Sequence, residues 1–385
     1  MTVTFAATLP PESATIVGRT LPLARALGER GHTVRIVTLD HMSVRRHVHD
    51  DVPIDIVGPT LRGDVSKRPT FPELVRNFRR GVQGLSRALA AARFDVLILT
   101  KAHPQNVVAS RAVTCPIILD ADDDERWASR LSGIERHIMG WTEQRAARKA
   151  VLVTACSPAL VDRYSQELRA RRVALLPTGI TPSSARAPDL RSTFNLPPST
   201  PLILYLGSLA LSSGHRVDDL LNVWDALAES VPDLQLIIAG DGIDAERLRE
   251  HAQRLTFTRR VHFTGRFAPD EAEGLARQAT LLVDPVDHSP ASRAKSSSRT
   301  LLALATGIPI VAGDVGIRKL FLPPAIHPWA LYPPERRDRF LWSLKHGLTK
   351  EAREHFQKET AGRWEQWSWD RLGREFVSLV EGLVP

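Results

Sequence analysis

The sequence predicts an α/β protein made of two doubly wound domains, each built around a mainly parallel sheet. Short, continuously apolar runs alternate with amphipathic segments along the chain, as expected for parallel strands that helices cover on both faces. The chain has 385 residues, which is more than one hydrophobic core usually organises. A stretch rich in proline and serine, 177–201, interrupts the alternation, which then starts again.

The apolar runs of the first half predict one parallel sheet. A helix is expected over 72–92, and Thr70 and Glu73 have the spacing of a capping box at its start. We therefore expect an N-terminal domain over residues 1–180. Its predicted strands are Val3–Leu9, Thr33–Asp40, Pro53–Gly58, Asp95–Thr100, Pro116–Ala121, Val151–Ser157 and Arg172–Pro177.

The same alternation in the second half predicts a second parallel sheet. We expect a linker over 181–200, a C-terminal domain over 201–355, and closing helices over 356–385 that pack back on the N-terminal domain. Ligands of open parallel sheets bind beyond the carboxyl ends of the strands, so functional residues are expected there. The predicted strands are Leu202–Ser208, Leu234–Gly242, Val261–Gly265, Thr280–Val286 and Pro309–Gly313.

Charge is distributed unevenly along the chain. The formal net charge is +8, and residues 1–200 hold 28 Lys and Arg against 19 Asp and Glu, whereas the remainder holds 23 against 24. A basic first half favours an anionic partner such as a nucleic acid, a phosphorylated substrate or an anionic lipid. A basic surface that is simply solvated explains the same count equally well.

Targeting and redox features point to a cytoplasmic protein. No apolar run approaches the ~18 residues of a spanning helix, and the start MTVTFAATLP lacks the basic and long apolar regions of a signal peptide. The two cysteines, Cys115 and Cys156, each lie at the edge of an apolar run. We expect buried free thiols in a reducing compartment.

Four stretches of the second half come in a characteristic order: LILYLGSL, LQLIIAGDGIDAERLRE, VHFTGRFAPDEAEGLARQATLLVDPV and ALATGIPIVAGDVGI. The first half contains three looser matches, ARALGERGHTVRIVT, ACSPALVDRY and LLPTGI. Together they resemble the retaining glycosyltransferases of the group 1 (GT4-like) superfamily, and this chain would be a divergent member. The resemblance implies the GT-B fold, with two Rossmann-like domains facing a cleft, and transfer of a hexose from a nucleoside-diphosphate sugar without a metal or other cofactor. The acceptor would be a glycan, a lipid-linked molecule or a small molecule.

Four charged donor contacts of that superfamily are replaced in this sequence. An Arg and a Lys that hold the donor diphosphate correspond to Ser208 and Ser213. A Glu that binds the donor ribose corresponds to Leu302, and a second Glu near the donor sugar corresponds to Ala294. Either donor binding has been lost, which would make the chain a non-catalytic relative that binds a ligand or partner, or other side chains meet the diphosphate charge.

The stretch RAKSSSRTLLALATGIPIV favours the second interpretation. Cations at a helix N-terminus cost roughly 0.3–1 kcal/mol each unless an anion is present, because the helix dipole is already positive there. A diphosphate would receive hydroxyl groups, cations and backbone N–H groups from this segment. Side chains that point into solvent are the alternative. The candidate diphosphate ligands are Arg293, Lys295, Ser296, Ser297 and Arg299, with Ser208 and Ser213 from the loop after the first strand of the domain.

Two strand ends of the second half are expected to border the nucleobase and ribose. In IIAGDG, Gly240 allows a tight exit from the strand, and Asp241 follows it. In FTGRF, Arg266 and Phe267 come directly after a strand. The resemblance implies that this loop holds the nucleobase largely through backbone groups. A plain strand-to-helix turn is an equal explanation for Asp241.

The acidic stretch DADDDE is the candidate catalytic segment of the first half. The resemblance places Asp122 where many relatives have a histidine near the reacting sugar, so Asp122 or Asp123 would orient an acceptor hydroxyl or act as a base. His103, after the preceding strand, is a third catalytic candidate. Carboxylates also suit a hard cation, but the resemblance implies no metal. An exposed helix cap is the structural alternative.

Two further residues are candidates for acceptor binding, and one helix for membrane contact. Lys101 follows a strand end, and Gly18 lies in the first loop, which otherwise lacks the glycines usual in the superfamily. The helix over 72–92 has a basic, amphipathic pattern that suits peripheral contact with the inner face of a membrane. A core-facing stripe with a solvated basic face fits the same period better. Nucleic-acid binding is not expected, because interleaved aromatic residues and a recognised module are missing.

Overall fold

The computed structural model describes residues 1–40, 45–49, 52–62, 69–127, 131–183 and 185–383, which form two compact units. The N-terminal unit comprises residues 1–179 and the end of the chain from Trp369, and the C-terminal unit comprises residues 180–368. Each unit has its own sheet and its own hydrophobic core. This confirms the predicted fold class, two parallel-sheet α/β domains.

Eight strands form the sheet of the N-terminal unit. They are β1 (Thr2–Ala6), β2 (Thr33–Asp40), β3 (Arg45–His49), β4 (Val52–Pro59), β5 (Val96–Thr100), β6 (Ile117–Ala121), β7 (Leu152–Ala155) and β8 (Val173–Leu175). They lie in the order β3-β4-β2-β1-β5-β6-β7-β8. All neighbours pair parallel except β3, which pairs antiparallel with β4. The order reverses between β1 and β5, so their carboxyl ends form the switch point at which ligands of such sheets bind.

Five helices follow in the first part of this unit. They are α1 (Leu21–Glu29), α2 (Phe71–Ala90), α3 (Pro104–Ala109), α4 (Gly133–Lys149) and α5 (Pro158–Asp162). The predicted capping box of α2 is confirmed, since the backbone N–H of Thr70 donates to Glu73 Oε2 at 2.8 Å. A π-helical turn precedes α1 at Ile16–Thr20, and another follows α5 at Arg163–Glu167. Both π-turns contain a buried arginine described below.

Six strands form the parallel sheet of the C-terminal unit. They are β9 (Leu202–Leu206), β10 (Gln235–Ala239), β11 (Val261–Gly265), β12 (Leu281–Asp284), β13 (Ile310–Gly313) and β14 (Leu331–Tyr332). Their order is β11-β10-β9-β12-β13-β14. The reversal lies between β9 and β12, so the loops after these two strands border the second switch point. The short edge strand β14 was not predicted, because two residues leave no periodic signal.

The helices of the C-terminal unit cover both faces of its sheet. They are α6 (Leu190–Thr193), α7 (Val217–Ser230), α8 (Ala245–Gln253), α9 (Ala272–Ala276), α10 (Pro290–Ala294), α11 (Ser298–Thr306), α12 (Arg318–Phe321), α13 (His327–Ala330), α14 (Arg337–Gly347) and α15 (Lys350–Thr360). α11 ends at Gly307 with φ at +67°, a left-handed conformation that favours glycine.

The chain returns to the N-terminal unit in a last helix, α16 (Trp369–Glu381). Its apolar face, which includes Leu372 and Phe376, is buried in the core of that unit. α16 packs against α1 so closely that a Cβ at Gly373 would lie 2.7 Å from the Cβ of Ala26. Within the described ranges, no helix is both long and apolar enough to cross a bilayer.

Candidate functional site

A buried carboxylate lies at the centre of the strand ends of the C-terminal unit. Asp284, the last residue of β12, is fully buried and accepts bonds from Arg299 Nε at 2.8 Å and Arg318 Nε at 2.7 Å. The hydroxyl of Ser297 also donates to it, at 2.6 Å. Burial would raise the pKa of Asp284, but the two guanidinium groups hold it well below its usual range. One carboxylate thus meets two cations, which leaves the cluster positively charged.

Arg299 extends from α11 to the loop that follows β9. Its Nη1 donates to the carbonyl oxygen of Leu206 at 2.8 Å, and its Nη2 to Nδ1 of His215 at 2.9 Å. Gly207 has φ at +141°, and a Cβ there would collide with Arg299 Nη1, so glycine is required where the guanidinium passes. Burial and the nearby cations Arg299 and Lys295 hold the pKa of His215 well below its usual value, which suits the imidazole as an acceptor.

Lys295 reaches the far end of the same loop. It lies between α10 and α11, and its Nζ donates to the carbonyl oxygen of Ser213 at 2.9 Å. Ser213 is one of the two loop positions at which the resemblance implies a basic residue, and Gly207 directly precedes the other, Ser208. Arg299 and Lys295 therefore bring two positive charges from the α10–α11 segment to the two ends of this loop.

The remaining predicted diphosphate ligands differ in their contacts. Ser297 is the N-cap of α11, where its hydroxyl accepts from the Thr300 N–H at 3.2 Å as well as donating to Asp284. Ser296 is half-buried, whereas the side chains of Arg293 and Ser208 are exposed. Ser297 and Arg299 are thus engaged in bonds within the unit that fix the start of α11.

The predicted nucleobase and ribose loop lies beside the β9 loop. Gly240, with φ at +150°, backs onto the carbonyl oxygen of Gly207 with no room for a Cβ, and its N–H donates to Gly265 at 2.8 Å. The pKa of Asp241 is lowered, mainly by the hydrogen bond that it accepts from the Gly242 N–H and to a smaller extent by its bond with Arg266. Arg266 Nε lies 3.3 Å from Asp241 Oδ2 at the exposed surface. Phe267 instead packs partly buried against the core of the unit.

A second buried ion pair lies at the strand ends of the N-terminal unit. Arg19, in the π-turn before α1, binds Asp120 of β6 through Nε at 2.9 Å and Nη2 at 2.7 Å. Both side chains are 1% exposed. The hydroxyl of Thr154, on the neighbouring strand β7, donates to the same carboxylate at 2.7 Å. This bidentate pair fixes the start of α1 against the end of β6, directly beside the acidic stretch.

Lys101 lies among the carboxylates that follow β6. Its Nζ is 3.1 Å from Glu125 Oε1 and 3.8 Å from carboxylate oxygens of Asp122 and Asp123. Burial would lower the pKa of Lys101, but the three carboxylates hold it above its usual value. Burial would raise the pKa of Glu125, and Lys101 and His103 outweigh that effect and lower it to about 2. Lys101 has φ at +62°, a strained backbone for a non-glycine residue.

His103 and Asp122 complete this cluster. His103 contacts Glu125 Oε2 through Nε2 at 2.8 Å and the Thr8 hydroxyl through Nδ1 at 2.5 Å. Asp122 Oδ2 accepts from the Thr15 hydroxyl at 2.9 Å. The structure therefore brings together Lys101, His103, Asp122 and, through Lys101, Asp123, all at the β1–β5 switch point.

Other residues of this region were placed less well by the sequence. Gly18 lies in the π-turn of Arg19, and no heavy atom is within 4 Å of where its Cβ would be. Sequence reasoning missed Glu125, although it is part of DADDDE, and it missed Arg19, which no local pattern marks. In the part of the chain that the structure describes, no three His, Cys, Asp or Glu side chains form a group suited to a metal ion.

A buried network supports the acidic stretch from behind. Arg163 donates to Glu143 of α4, and its Nε lies 3.7 Å from Asp124 Oδ2. Arg126 Nε lies 3.4 Å from Asp124 Oδ1. Burial raises the pKa of Glu143 to about 7, against the attraction of Arg163. The segment 122–125 is therefore fixed on one side by Lys101 and on the other by this network.

Two family models match the chain in the same order as the two units. Residues 16–179 match the model described as a glycosyl transferase 4-like domain. Residues 200–341 match the model described as glycosyl transferases group 1. The chain belongs to the group 1 glycosyltransferases. The matched residues include Asp284, Lys295 and Arg299 of the C-terminal unit and Lys101, His103 and Asp122 of the N-terminal unit.

Known proteins resemble this glycosyltransferase at low sequence identity. It is 24% identical over 324 residues, 77% of this chain and 73% of the relative, to the 2-deoxystreptamine N-acetyl-D-glucosaminyltransferase of Streptomyces fradiae. Its fold is similar to that of sucrose-phosphate synthase from Thermosynechococcus elongatus, with a TM-score of 0.79, 17% identity and coverage of 99% and 98% of the two chains. The fold is also similar to that of HepE of Anabaena in complex with UDP and glucose. The TM-score is 0.73 and the sequence identity is 15%, with 99% of this chain and 100% of HepE covered.

Proposed function

We propose that this glycosyltransferase moves a hexose from a nucleoside-diphosphate sugar to an acceptor hydroxyl, with retention of configuration and without a metal ion. The observation that supports donor binding most directly is the placement of Lys295 and Arg299. Their charges meet the two ends of the β9–α7 loop, where the related enzymes have their diphosphate ligands. The chain thus keeps the positive charge of the site while changing the segment that supplies it.

The proposed diphosphate site draws on three kinds of donor. Lys295 supplies an ammonium group, and Arg293, which is exposed, supplies a second cation. The hydroxyl groups of Ser208, Ser213 and Ser296 and the first N–H groups of α11 add neutral donors. Arg299 acts mainly through its charge, because its guanidinium already bonds to Asp284 and Leu206. Positive charge of this kind would stabilise the departing diphosphate electrostatically.

The nucleoside is expected beside the Gly240–Asp241 turn and the Arg266–Phe267 loop. Leu302, which stands where the superfamily has its ribose-binding Glu, lies in the buried face of α11 at 7% exposure. Ribose hydroxyl groups therefore have no carboxylate at that position. HepE binds UDP, which supports UDP as the first nucleotide to test, with the nucleotides of the other bases as equal competitors.

The acceptor is expected at the acidic cluster of the N-terminal unit. Asp122 or Asp123 would accept a proton from, or orient, the acceptor hydroxyl, and Lys101 would hold these two carboxylates in place. His103, which contacts Glu125, is the third catalytic candidate. The Streptomyces fradiae relative acts on 2-deoxystreptamine, which supports an amino-bearing small molecule as the first acceptor to test. Glycans and lipid-linked acceptors are the other classes. We expect the reaction to take place in the cytoplasm.

Nucleotide binding tests the donor half of this proposal. UDP, GDP, dTDP, ADP and CMP are titrated into the full-length protein by calorimetry, with magnesium and with EDTA. One nucleoside diphosphate is expected to bind equally well in both buffers. Lys295→Ala should weaken it about tenfold or more, since a charge-assisted bond contributes about 1.5–3 kcal/mol. Lys319→Ala is the matched control, because Lys319 is an exposed lysine of the same unit paired with Asp314.

Measurements of turnover test the proposed sugar transfer, its acceptor and the retention of configuration. The sugar nucleotide selected by binding is incubated with 2-deoxystreptamine and with glycan acceptors, and the anomeric configuration of the product is read by NMR. Unchanged nucleotide affinity in Lys295→Ala would contradict the proposed diphosphate site. Nucleotide binding without transfer or hydrolysis of any sugar nucleotide would favour a non-catalytic relative instead, for which the loss of both family glutamates is the sequence evidence.

A further inference from the structure

A cavity lies between α3 and α4 of the N-terminal unit, apart from the acidic stretch. Its volume is about 510 Å³, which is within the range of roughly 300–1,000 Å³ that is usual for small-molecule sites. Leu99 and Val107 contribute apolar side chains to its lining. The lining does not include any of the predicted catalytic residues His103, Asp122 and Asp123. This cavity is therefore not part of the proposed acceptor site.

Four basic side chains line the cavity, and no carboxylate is among the described residues that line it. On α4, residues 141, 145 and 148 follow one another in steps of four and three, which puts them on one face of the helix. The ammonium group of Lys149 is held by two carbonyl oxygens of the turn after α3, that of Ser110 at 2.6 Å and that of Arg111 at 2.9 Å. We call the four basic residues the basic lining: Arg111, Arg145, Arg148 and Lys149.

The dipole of α4 explains only half of the basic lining. Cations in the last turn of a helix are favourable, and this applies to Arg148 and Lys149. Arg145 lies before that turn, and like charges three or four positions apart on a helix repel each other. Burial lowers the pKa of Lys149, and Arg145 lowers it further. A bound anion would relieve this repulsion.

The positive charge of the basic lining is not balanced from within the unit. In the part of the chain that the structure describes, none of its four side chains forms an ion pair with a carboxylate. Arg111, Arg145 and Arg148 are exposed. Guanidinium groups bind phosphate through two parallel hydrogen bonds, and an ammonium group adds a point charge. The basic lining therefore suits a ligand with several phosphate groups.

Trp141 adds a second kind of contact to the cavity. Its side chain is 47% exposed, and the guanidinium group of Arg145 lies 5.3 Å from the centre of its ring. An exposed indole stacks on planar rings such as nucleobases. Lys149 lies about 12 Å farther along α4, at 1.5 Å per residue, a distance that a base with its ribose and phosphate chain spans. An inorganic phosphate would use the basic lining but not Trp141.

The basic lining lies at the opposite end of the sheet from the acidic stretch. α4 connects the parallel strands β6 and β7, so it begins at their carboxyl ends and runs back to their amino ends. One contact connects the cavity wall with the β1–β5 switch point. The hydroxyl of Thr142, on α4, donates to the carbonyl oxygen of Ala102 at 3.0 Å, and the next residue, His103, is the N-cap of α3.

We propose that this cavity binds a nucleoside polyphosphate, with the base on Trp141 and the phosphates on the basic lining, at a site distinct from the proposed donor site. The ligand connects α3 with α4 and so holds the backbone at Ala102 and His103 from behind. The proposal does not depend on sugar transfer. The cavity and the proposed donor site lie in different units, and binding is measured without a sugar or an acceptor.

Calorimetric titration of the full-length protein with ATP and with inorganic tripolyphosphate, both in EDTA, tests this site. Both probes are expected to bind, ATP more tightly because it alone has a ring. Arg145→Gln with Arg148→Gln should weaken the binding of both probes about tenfold or more. Trp141→Leu should weaken ATP about fivefold or more and leave tripolyphosphate unchanged. Lys295→Ala, in the donor site, should leave the binding of both probes at the cavity unchanged.

Matched controls are available for both kinds of substitution. Arg353→Gln with Arg374→Gln removes two exposed arginines that lie outside the cavity, on α15 and α16. Trp342→Leu replaces a tryptophan of α14 that is 42% exposed. Neither control should change the affinity for ATP or for tripolyphosphate. Equal losses in the controls and in the cavity variants would overturn the proposal.

Other outcomes would also contradict the site. ATP affinity that is unchanged in the Arg145→Gln, Arg148→Gln protein would overturn it. ATP binding that is lost only in Lys295→Ala would overturn it as well, and would leave the proposed donor site supported. An equal loss of ATP and tripolyphosphate in Trp141→Leu would contradict stacking of the base. Binding of random oligonucleotides through Arg145 and Arg148, without binding of ATP, would show a nucleic-acid surface instead.

Discussion

The two units place clusters of opposite charge at equivalent points of their sheets. Each cluster lies where the strand order reverses, at β9 and β12 in one unit and at β1 and β5 in the other. In the C-terminal unit, Asp284 is outnumbered by cations, namely Arg299, Arg318 and Lys295. In the N-terminal unit, Arg19 and Lys101 are outnumbered by carboxylates, namely Asp120, Asp122, Asp123 and Glu125.

This difference separates two contributions to ligand binding. The reversal of strand order in a doubly wound sheet determines where a ligand binds, and both units have one. The side chains at that place determine which charge is accepted, and here they differ in sign. An anionic diphosphate suits the C-terminal cluster, whereas a hydroxyl-bearing or cationic acceptor suits the N-terminal one. Substitutions that change one cluster should therefore affect donor and acceptor binding separately.

The largest effect is expected from removing the single carboxylate of the C-terminal cluster. Asp284→Asn leaves two buried guanidinium groups without a counter-charge, and loss of one partner of a buried pair costs about 3–5 kcal/mol. Urea unfolding of the full-length protein measures this. The exposed Asp338 is paired with Arg336, and Asp338→Asn serves as the control with no measurable change expected. A loss below about 1 kcal/mol for Asp284→Asn would contradict the charge balance described for this cluster.

The next effect concerns turnover rather than stability. Asp122→Asn keeps the shape of the side chain and the bond from Thr15 but removes the negative charge proposed to act on the acceptor. We expect kcat to fall about 100-fold or more, with nucleotide affinity unchanged because the donor site lies in the other unit. Asp162→Asn on α5 is the matched control. A parallel loss of nucleotide affinity in Asp122→Asn would show that the two clusters do not act separately.

A pH dependence distinguishes the N-terminal cluster further. Burial raises the pKa of Glu143 to about 7 in the folded protein, above the ordinary value of about 4.3. Its contribution to stability is therefore complete below about pH 4.3 and is lost as the pH rises through 7. Compared with Glu143→Gln, the wild type should lose on the order of 2–3 kcal/mol of unfolding free energy between pH 5 and 8.

Urea unfolding at pH 5, 6.5 and 8 measures this difference. Glu354→Gln, at an exposed position of α15, should run parallel to the wild type at all three values. Asp284 provides the contrast, because its pKa is held well below its usual range, so the C-terminal cluster is fully ionised throughout. A constant difference between wild type and Glu143→Gln would mean that Arg163 keeps Glu143 ionised throughout this range.

Much of the fold was predictable because it depends on local patterns. All strands except the edge strands β3 and β14 were marked by apolar runs in the sequence, and Thr70 and Glu73 gave a capping box that the structure confirms. The position of DADDDE after β6 followed from the same pattern. The residues that hold these elements together were not predictable. Arg19 binds Asp120 across 101 positions of sequence, and Arg318 binds Asp284 across 34, so only the folded sheet brings them together.

The type of a residue does not determine whether its side chain binds a ligand or another side chain of the protein. Ser297 was predicted as a diphosphate ligand, and its observed bonds are those of a helix cap that also donates to Asp284. Arg299 was predicted as a diphosphate ligand, and its guanidinium bonds to Asp284, Leu206 and His215. A hydroxyl or a guanidinium serves a ligand and a buried carboxylate equally well. Their direct contact with a diphosphate stays a prediction, whereas their part in fixing α11 is observed.

The smallest effect is expected at the edge of the C-terminal cluster. Arg266 and Asp241 form a pair in which the arginine side chain is 85% exposed, and such pairs add little because solvent screens them. Arg266→Ala should shift the melting temperature by less than about 1 °C and weaken nucleotide binding no more than about twofold, since the resemblance assigns nucleobase contacts to the backbone of this loop. Thermal melting and calorimetry measure both. A tenfold loss of nucleotide affinity in Arg266→Ala would instead mean that Arg266 contacts the nucleoside. The cationic site would then extend from Lys295 to the nucleoside, and positive charge in the C-terminal unit would bind the whole donor.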